Sequence, residues 1–194
     1  VSESSQTRPL AHVRIGNETQ LREDRAVRMA ENLRETESST QLCVKSPIGD
    51  LVVSGNDEFV TELLLDVPGR QVTASGDRRH ATGPVLDAAR QLDEYFAKKR
   101  TTFDLPLSVT GTEFQERVWL TLAEIPYGET ISYAELARWV GRPQAFRAVG
   151  QANGANPIPV ILPCHRVIAA DGTIGGYGGG LAAKRVLLAL ESHR

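Results

Sequence analysis

Apolar and polar positions divide the 194-residue chain into three stretches of different texture. Residues 1–40 are polar and rich in Arg and Glu, with apolar residues only thinly spread at positions such as Leu21, Val27, Met29 and Leu33. Such a stretch cannot bury a core, so an N-terminal extension is expected there: a marginal surface helix, a disordered arm or a linker. Residues 41–110 change character. Leu42-Cys43-Val44-Lys45, a Ser46-Pro47-Ile48-Gly49 turn and Asp50–Ser54 predict a β-hairpin, and Phe59–Val67 predicts a third strand. From Pro84 the apolar residues Val85, Leu86, Ala89, Leu92, Tyr95 and Phe96 fall at helical spacing. Phe103–Val109 reads as an edge strand, where Pro106 is tolerated. Cys43 is expected on the apolar face of its strand, as a small core residue.

Residues 111–194 carry helical patterns after a break at Gly111. Thr112-Glu113-Phe114-Gln115 and Ser132-Tyr133-Ala134-Glu135 are both capping boxes. The first opens a helix turning Phe114, Val118, Trp119, Leu122 and Ile125 inward. The second opens a short helix over Tyr133–Val140. Gly141-Arg142-Pro143 breaks that helix, and a further one follows from Gln144 to about Ala155. Helix, glycine turn, helix is a helix-turn-helix arrangement, although an ordinary helical hairpin has the same pattern. The second of the pair is rich in Ala and Gly, which lets its backbone approach another surface closely, and Arg147 and Gln151 share one face of it. Val160-Ile161-Leu162 has the look of a buried strand. Leu181–Leu190 predicts a last helix with Leu181, Val186, Leu187, Leu188 and Leu190 in the core and Lys184 and Arg185 outward. Three strands and a helix followed by a mostly helical region make an α+β protein.

Composition adds limits. Hydrophobic residues are 41% and charged residues 24%, as in a soluble globular protein. No apolar run approaches the roughly 20 residues of a membrane helix. The first forty residues hold no signal-peptide core, and with two cysteines a reducing cytoplasm is the expected location. There is no CxxC or HExxH, and His12, His80, His165 and His193 are scattered, so neither a metal site nor a cofactor is expected. The net charge is −2, yet Arg138, Arg142, Arg147, Arg166, Lys184 and Arg185 face only Asp171 in that part of the chain. That local excess suits a phosphate backbone, or simply a solvated positive face.

The candidate chemistry is at Pro163-Cys164-His165-Arg166-Val167, followed by a loop with six glycines between Asp171 and Gly180. A thiol with a pKa near 8.5 needs a base to become a nucleophile at pH 7. His165 is the nearest, but neighbouring side chains on an extended backbone point opposite ways, so a turn or a bridging water is required. Glu191, at a helix end where the dipole does not favour a carboxylate, is the best group to orient the imidazole, with Arg166 competing for it. Asn156, in Asn156-Pro157-Ile158-Pro159, can fix the turn that shapes the cysteine loop. On these residues alone, a structural cysteine beside a polar histidine is equally open.

Gly111-Thr112, Phe114-Gln115, Val118-Trp119, Ile131-Ser132-Tyr133, Arg147-Ala148-Val149-Gly150, Asn156-Pro157, Ile161 to Val167 and Gly175-Gly176-Tyr177 together resemble the O6-alkylguanine-DNA alkyltransferases. The resemblance is densest over 111–191, looser over 41–110 and absent over 1–40. It implies a small RNase H-like N-terminal domain over 41–110 and a winged-helix-like, DNA-binding and alkyl-accepting domain over 111–194. It implies irreversible, single-use transfer of an alkyl group from guanine O6, with thymine O4 as a further candidate, to Cys164. The partner is double-stranded DNA containing O6-alkylguanine, bound through its minor groove by a protein expected to be a monomer, with room for cooperative binding along the duplex.

By the same resemblance, His165 is the water-mediated base, Glu191 holds His165, and Asn156 ties the cysteine loop to the recognition helix. Tyr133 turns the target phosphate and bonds the flipped base, Arg147 fills the gap in the stack, and Gln151, Val167, Gly175, Tyr177 and Gly178 belong to the DNA and base contacts. Gly178 departs from those relatives with serine after the pocket tyrosine, leaving only a backbone N–H as donor. The zinc ligands of some relatives have no counterpart. A non-catalytic lesion sensor and a cysteine hydrolase are the alternatives; the first kind lacks the cysteine, and the second leaves the helix-turn-helix without a purpose.

Overall fold

The structure, a computed structural model, describes residues 39–67, 71–74 and 76–192. The extension expected over 1–40 lies outside these residues, apart from its last two. Three strands, β1 (Thr40–Val44), β2 (Leu51–Gly55) and β3 (Val60–Leu65), form an antiparallel sheet in the order β1-β2-β3. The register is fixed by the tight turn before Asp50, which pairs Val44 with Leu51. The β2–β3 pairing slips at Ser54–Gly55, where a Cβ on Gly55 would sit 2.2 Å from the Phe59 carbonyl oxygen, so only glycine fits the bulge. Helix α1 (Gly83–Phe96), with Pro84 in its first turn, packs Val85, Ala88, Ala89, Leu92 and Tyr95 against this sheet.

Two expectations in this half are corrected. Leu42 and Val44 take the core face of β1, so the period of two turns Cys43 to the other face, where it is half-buried. Phe103–Val109 makes one parallel bridge, Leu107 to Val60, rather than a strand. Pro106 has no N–H to continue a ladder, so the segment is held otherwise. The Val60 N–H donates to the Pro106 carbonyl (2.9 Å), and the Gln91 amide of α1 clips both backbone groups of Asp104 (2.8 and 2.9 Å).

The remainder is helical: α2 (Glu113–Leu122), β4 (Ile131–Ser132), α3 (Tyr133–Trp139), α4 (Phe146–Gly154), a 3₁₀ turn at Cys164–Arg166, β5 (Val167–Ile168) and α5 (Gly180–Glu191). Both predicted capping boxes form in full, at Thr112/Gln115 and Ser132/Glu135. The α3–α4 pair is a helix-turn-helix whose turn passes through Gly141 at φ +72°. The Trp119 indole N–H donates to the Ala152 carbonyl (2.7 Å) and fastens α4 onto α2. The α+β architecture expected from the sequence is the one observed. The short strands β4 and β5 pair in parallel, Ile131 with Val167 and Ser132 with Ile168. That pairing puts Tyr133, the first residue of α3, beside the cysteine turn.

Two further expectations fail here. Val160-Ile161-Leu162 is not a strand. Pro159 and Leu162 bridge each other across a tight turn in which Val160 adopts φ +75°, and all three apolar side chains are buried in the core. On α5, Lys184 is fully buried while Leu181 and Val186 are 42% and 38% exposed. The buried stripe runs Ala183, Lys184, Leu187, Glu191, a face that keeps Leu187 but turns Leu181 and Val186 to solvent. Among the described residues no helix is long and apolar enough to cross a membrane.

Candidate functional site

The cysteine loop is built from its own backbone outward. The Asn156 side chain donates to the Leu162 carbonyl (2.7 Å) and accepts from the Ile158 N–H (3.0 Å), bracing the turn from both sides. The Leu162 carbonyl also receives the Cys164 N–H (2.8 Å), and the Pro163 carbonyl receives the Arg166 N–H (3.0 Å). A second amide, Asn153 on α4, donates to the Cys164 carbonyl (3.2 Å). The end of α4, with the residues just after it, and the cysteine turn are thus tied together by two asparagines.

Cys164 is 3% exposed. Burial pushes its thiol up to about 11, partly opposed by the Asn156 amide and by the Lys184 charge. A thiol at that value is almost wholly protonated at pH 7, so its proton must leave as the sulfur attacks. His165 is the next residue along the chain. The 3₁₀ turn removes the opposed geometry of an extended pair, and the imidazole Nε2 lies 2.9 Å from Glu191 Oε1. Burial holds His165 below the usual histidine range, although the Glu191 hydrogen bond raises it in part. A neutral ring donating from Nε2 to a carboxylate keeps Nδ1 as an acceptor. Nδ1 is buried and has no hydrogen-bond partner among the described residues.

Glu191 is the most heavily bonded carboxylate described. Oε1 accepts from His165 Nε2, from Arg166 Nη2 (2.9 Å) and from the Tyr95 hydroxyl (2.6 Å). Oε2 accepts from Arg166 Nε (2.9 Å) and the Gly128 N–H (3.3 Å). Burial would raise its pKa, but the hydrogen bonds from His165 and Arg166 outweigh that and hold it far below the carboxylate range. His165 and Arg166 were expected to compete for it; the fork of Arg166 leaves room for both.

The wall around the sulfur comes from three segments. Tyr133 is half-buried, its hydroxyl pushed up by burial and then by the cysteine's charge. The same two causes raise Tyr177, whose buried hydroxyl has no hydrogen-bond partner among the described residues. Lys184 Nζ donates to the Val167 carbonyl (2.6 Å) and the Gly175 carbonyl (3.3 Å), and lies 6.0 Å from the Tyr133 ring centroid. Gly175 is so close to Tyr133 that a Cβ there would stand 2.9 Å from the phenol oxygen. Gly178 is exposed, and a Cβ on it would meet only the Gly154 carbonyl oxygen at 3.6 Å.

The chain therefore brings Cys164, His165, Glu191, Asn156, Tyr133, Val167, Gly175 and Tyr177 to one place. Arg147 and Gln151 are not part of it: both stand exposed on α4, with the Arg147 guanidinium 5.7 Å from the ring centroid of Phe146. Tyr95, Asn153 and Lys184 were missed. Lys184 was findable, since it lies seven residues before Glu191 and shares its helix face. Tyr95 gave no signal beyond an apolar helical position.

Comparison with known proteins yields two family profiles that divide the chain between them. Residues 42–109 match the profile described as 6-O-methylguanine DNA methyltransferase, ribonuclease-like domain, and residues 113–193 match 6-O-methylguanine DNA methyltransferase, DNA binding domain. A Mycobacterium tuberculosis methylated-DNA–protein-cysteine methyltransferase is 49% identical over 154 residues, covering 78% of this chain and 91% of its own. A constitutive methylated-DNA–protein-cysteine methyltransferase of Bacillus subtilis is 43% identical over 151 residues, covering 76% and 92%. A crystal structure of Mycobacterium tuberculosis OGT in complex with DNA superposes with a TM-score of 0.67 at 47% identity, covering 79% of this chain and 91% of that one.

Proposed function

The chain belongs to the 6-O-methylguanine DNA methyltransferase family, and from that premise we propose that it repairs DNA by moving an alkyl group from guanine O6 onto Cys164, once per molecule. The observation that carries the choice of Cys164 is the buried chain from its turn through His165 to Glu191.

In this reading the alkylated nucleotide leaves the duplex, at a cost of a few kcal/mol, and enters the space walled by Tyr133, Tyr177 and the glycine loop. The Cys164 sulfur attacks the alkyl carbon opposite O6. The S–C bond forms as the C–O6 bond breaks. The thiol proton passes through water to His165 Nδ1, and the imidazolium is stabilised by Glu191. The electron pair left on O6 spreads into the purine, the Tyr133 hydroxyl hydrogen-bonds that charge as it develops, and the proton held by His165 passes back through water to the ring, which leaves as guanine. The Val167 carbonyl and the Gly178 N–H are the backbone groups at hand for the base edge, and the Lys184 ammonium favours the thiolate. Arg147 enters the stack in place of the extruded base, with Gln151 one turn along the same exposed face. That dock fits the minor groove, whose degenerate code suits a protein that must not read sequence. The protein works as a monomer in the cytoplasm in this reading.

The test is a mass measurement. After incubation with an excess of duplex bearing one O6-methylguanine, the peptide containing Cys164 should gain one methyl mass, one per protein, with no further turnover. Tight binding without a mass gain would indicate a sensor instead, and repeated turnover of an ester or amide would indicate a hydrolase.

A smaller change tests the role of Tyr133. Gly175→Ala places a methyl group against the phenol oxygen. The phenol must shift, and misplacing a hydrogen-bond donor by even part of an ångström is costly. Single-turnover transfer should slow by about 10-fold or more, with the urea midpoint little changed, because the displaced atom is a side-chain end. An unaltered rate would remove Tyr133 from the chemistry.

A further inference from the structure

We propose that Tyr95, on α1 of the ribonuclease-like region, is a positioning residue of the alkyl-transfer relay, setting through its hydrogen bond to Glu191 how tightly His165 holds a proton. The inference rests on the reading of His165 as the base.

Tyr95 is fully buried, and its hydroxyl donates at 2.6 Å to Glu191 Oε1, the oxygen that also takes His165 Nε2. Ninety-six residues separate the two partners. The ring is locked by neighbours from three places: Phe96 edge-on at 5.1 Å, Phe103 at 5.4 Å and Tyr127 edge-on at 6.1 Å. A hydroxyl fixed so closely serves Glu191 as a fixed donor. A purely apolar role would be met by phenylalanine, which needs no buried acceptor.

The consequence follows from charge. A donor on Oε1 draws negative charge away from the imidazole, so the imidazolium is less favoured and His165 more readily stays neutral. The other groups facing this carboxylate are Arg166 from the 3₁₀ turn, the Gly128 N–H from the loop before β4, and Tyr127, whose hydroxyl donates to the Leu190 carbonyl (3.2 Å) and whose ring lies 5.8 Å from the Arg166 guanidinium. Lys184, from α5, adds a positive field at His165. None of these is altered by removing one hydroxyl from Tyr95.

The experiment is the pH profile of single-turnover methyl transfer from O6-methylguanine duplex, measured on the full chain. The acidic limb reports protonation of His165. In Tyr95→Phe it should move to higher pH by about half a unit or more. Replacement of Tyr95 by 3-fluorotyrosine, a stronger donor that keeps the ring, should move the limb to lower pH; it also serves if the phenylalanine variant does not fold. A merely structural tyrosine would change the yield of active protein or its Tm and leave the limb in place, and that result in both variants overturns the proposal. His165→Gln separates the two levels. If it keeps the parent's rate and limb, the relay itself is wrong; if it loses them while both Tyr95 variants match the parent, only the role of Tyr95 falls.

Discussion

Cys164→Ser should bind duplex DNA as the parent does and transfer no measurable alkyl group, a fall of about 10⁴-fold or more in single-turnover rate. The exchange is nearly isosteric and leaves every backbone bond of the turn intact, so stability and DNA affinity are expected to hold. What disappears is the nucleophile. The site already pushes a thiol up to about 11. A hydroxyl, intrinsically far less acidic, surrenders no useful fraction of its proton there. A quenched-flow assay with radiolabelled O6-methylguanine duplex, beside a filter-binding titration at fixed salt, measures the two properties separately. Residual transfer within 10-fold of the parent would mean that another side chain is the acceptor.

Glu191→Ala should have the larger effect on folding. The parent carboxylate is 2% exposed and neutralises an Arg166 guanidinium whose side chain is 7% exposed. Without it, Arg166 keeps the Ile125 carbonyl (2.6 Å) but no counter-charge, and the Tyr95 hydroxyl loses its acceptor. Stranding a buried charge in this way costs about 3–5 kcal/mol, so the urea midpoint should drop sharply at unchanged slope. Any folded fraction should transfer slowly, because His165 is then unsupported.

Acidification of the parent approaches the same state. His165 is held below its ordinary 6.5, so below that pH the unfolded chain takes up a proton that the folded chain refuses, and stability declines. Glu191 is also depressed, so the stability it brings is present above its ordinary 4.5 and lost as pH falls further. The parent should weaken in two stages, below about 6.5 and again below about 4.5, and Glu191→Ala should lose part of the second, to which the hydrogen-bonded carboxylates of Asp77, Glu94, Glu135 and Asp171 still contribute.

Features fixed by near neighbours were legible in the chain. Thr112 with Gln115 and Ser132 with Glu135 make their bonds within four residues, so their helix starts could be read directly. The hairpin of β1 and β2 was equally plain from its turn. Features that depend on what packs opposite were not. Whether Lys184 faces water or the sulfur pocket depends on the carbonyls of Val167 and Gly175, which arrive from elsewhere. Phe103–Val109 alternates like a strand but meets the outer edge of β3 only at Val60, and the Leu63 N–H of that edge goes instead to the Pro157 carbonyl (2.9 Å). Cys164, His165, Asn156 and Glu191 were nameable because a family resemblance supplied their grouping; local pattern alone left a structural cysteine equally open.

Val160 bears on how such an acceptor can be made. A β-branched residue at φ +75° is strained by about 1–3 kcal/mol, and here it is fully buried in the turn that leads to Cys164. Strain of this kind persists only where the surroundings over-determine the backbone, and here the core around Val160 does so. If the sulfur is spent once, as proposed, the turn never has to reset. Its backbone can be wound tight during folding and never released, so the disorder that a moving loop would surrender on binding DNA is surrendered beforehand, at synthesis. On the proposed function, the affinity available from the duplex is then left for pulling one base out of the stack.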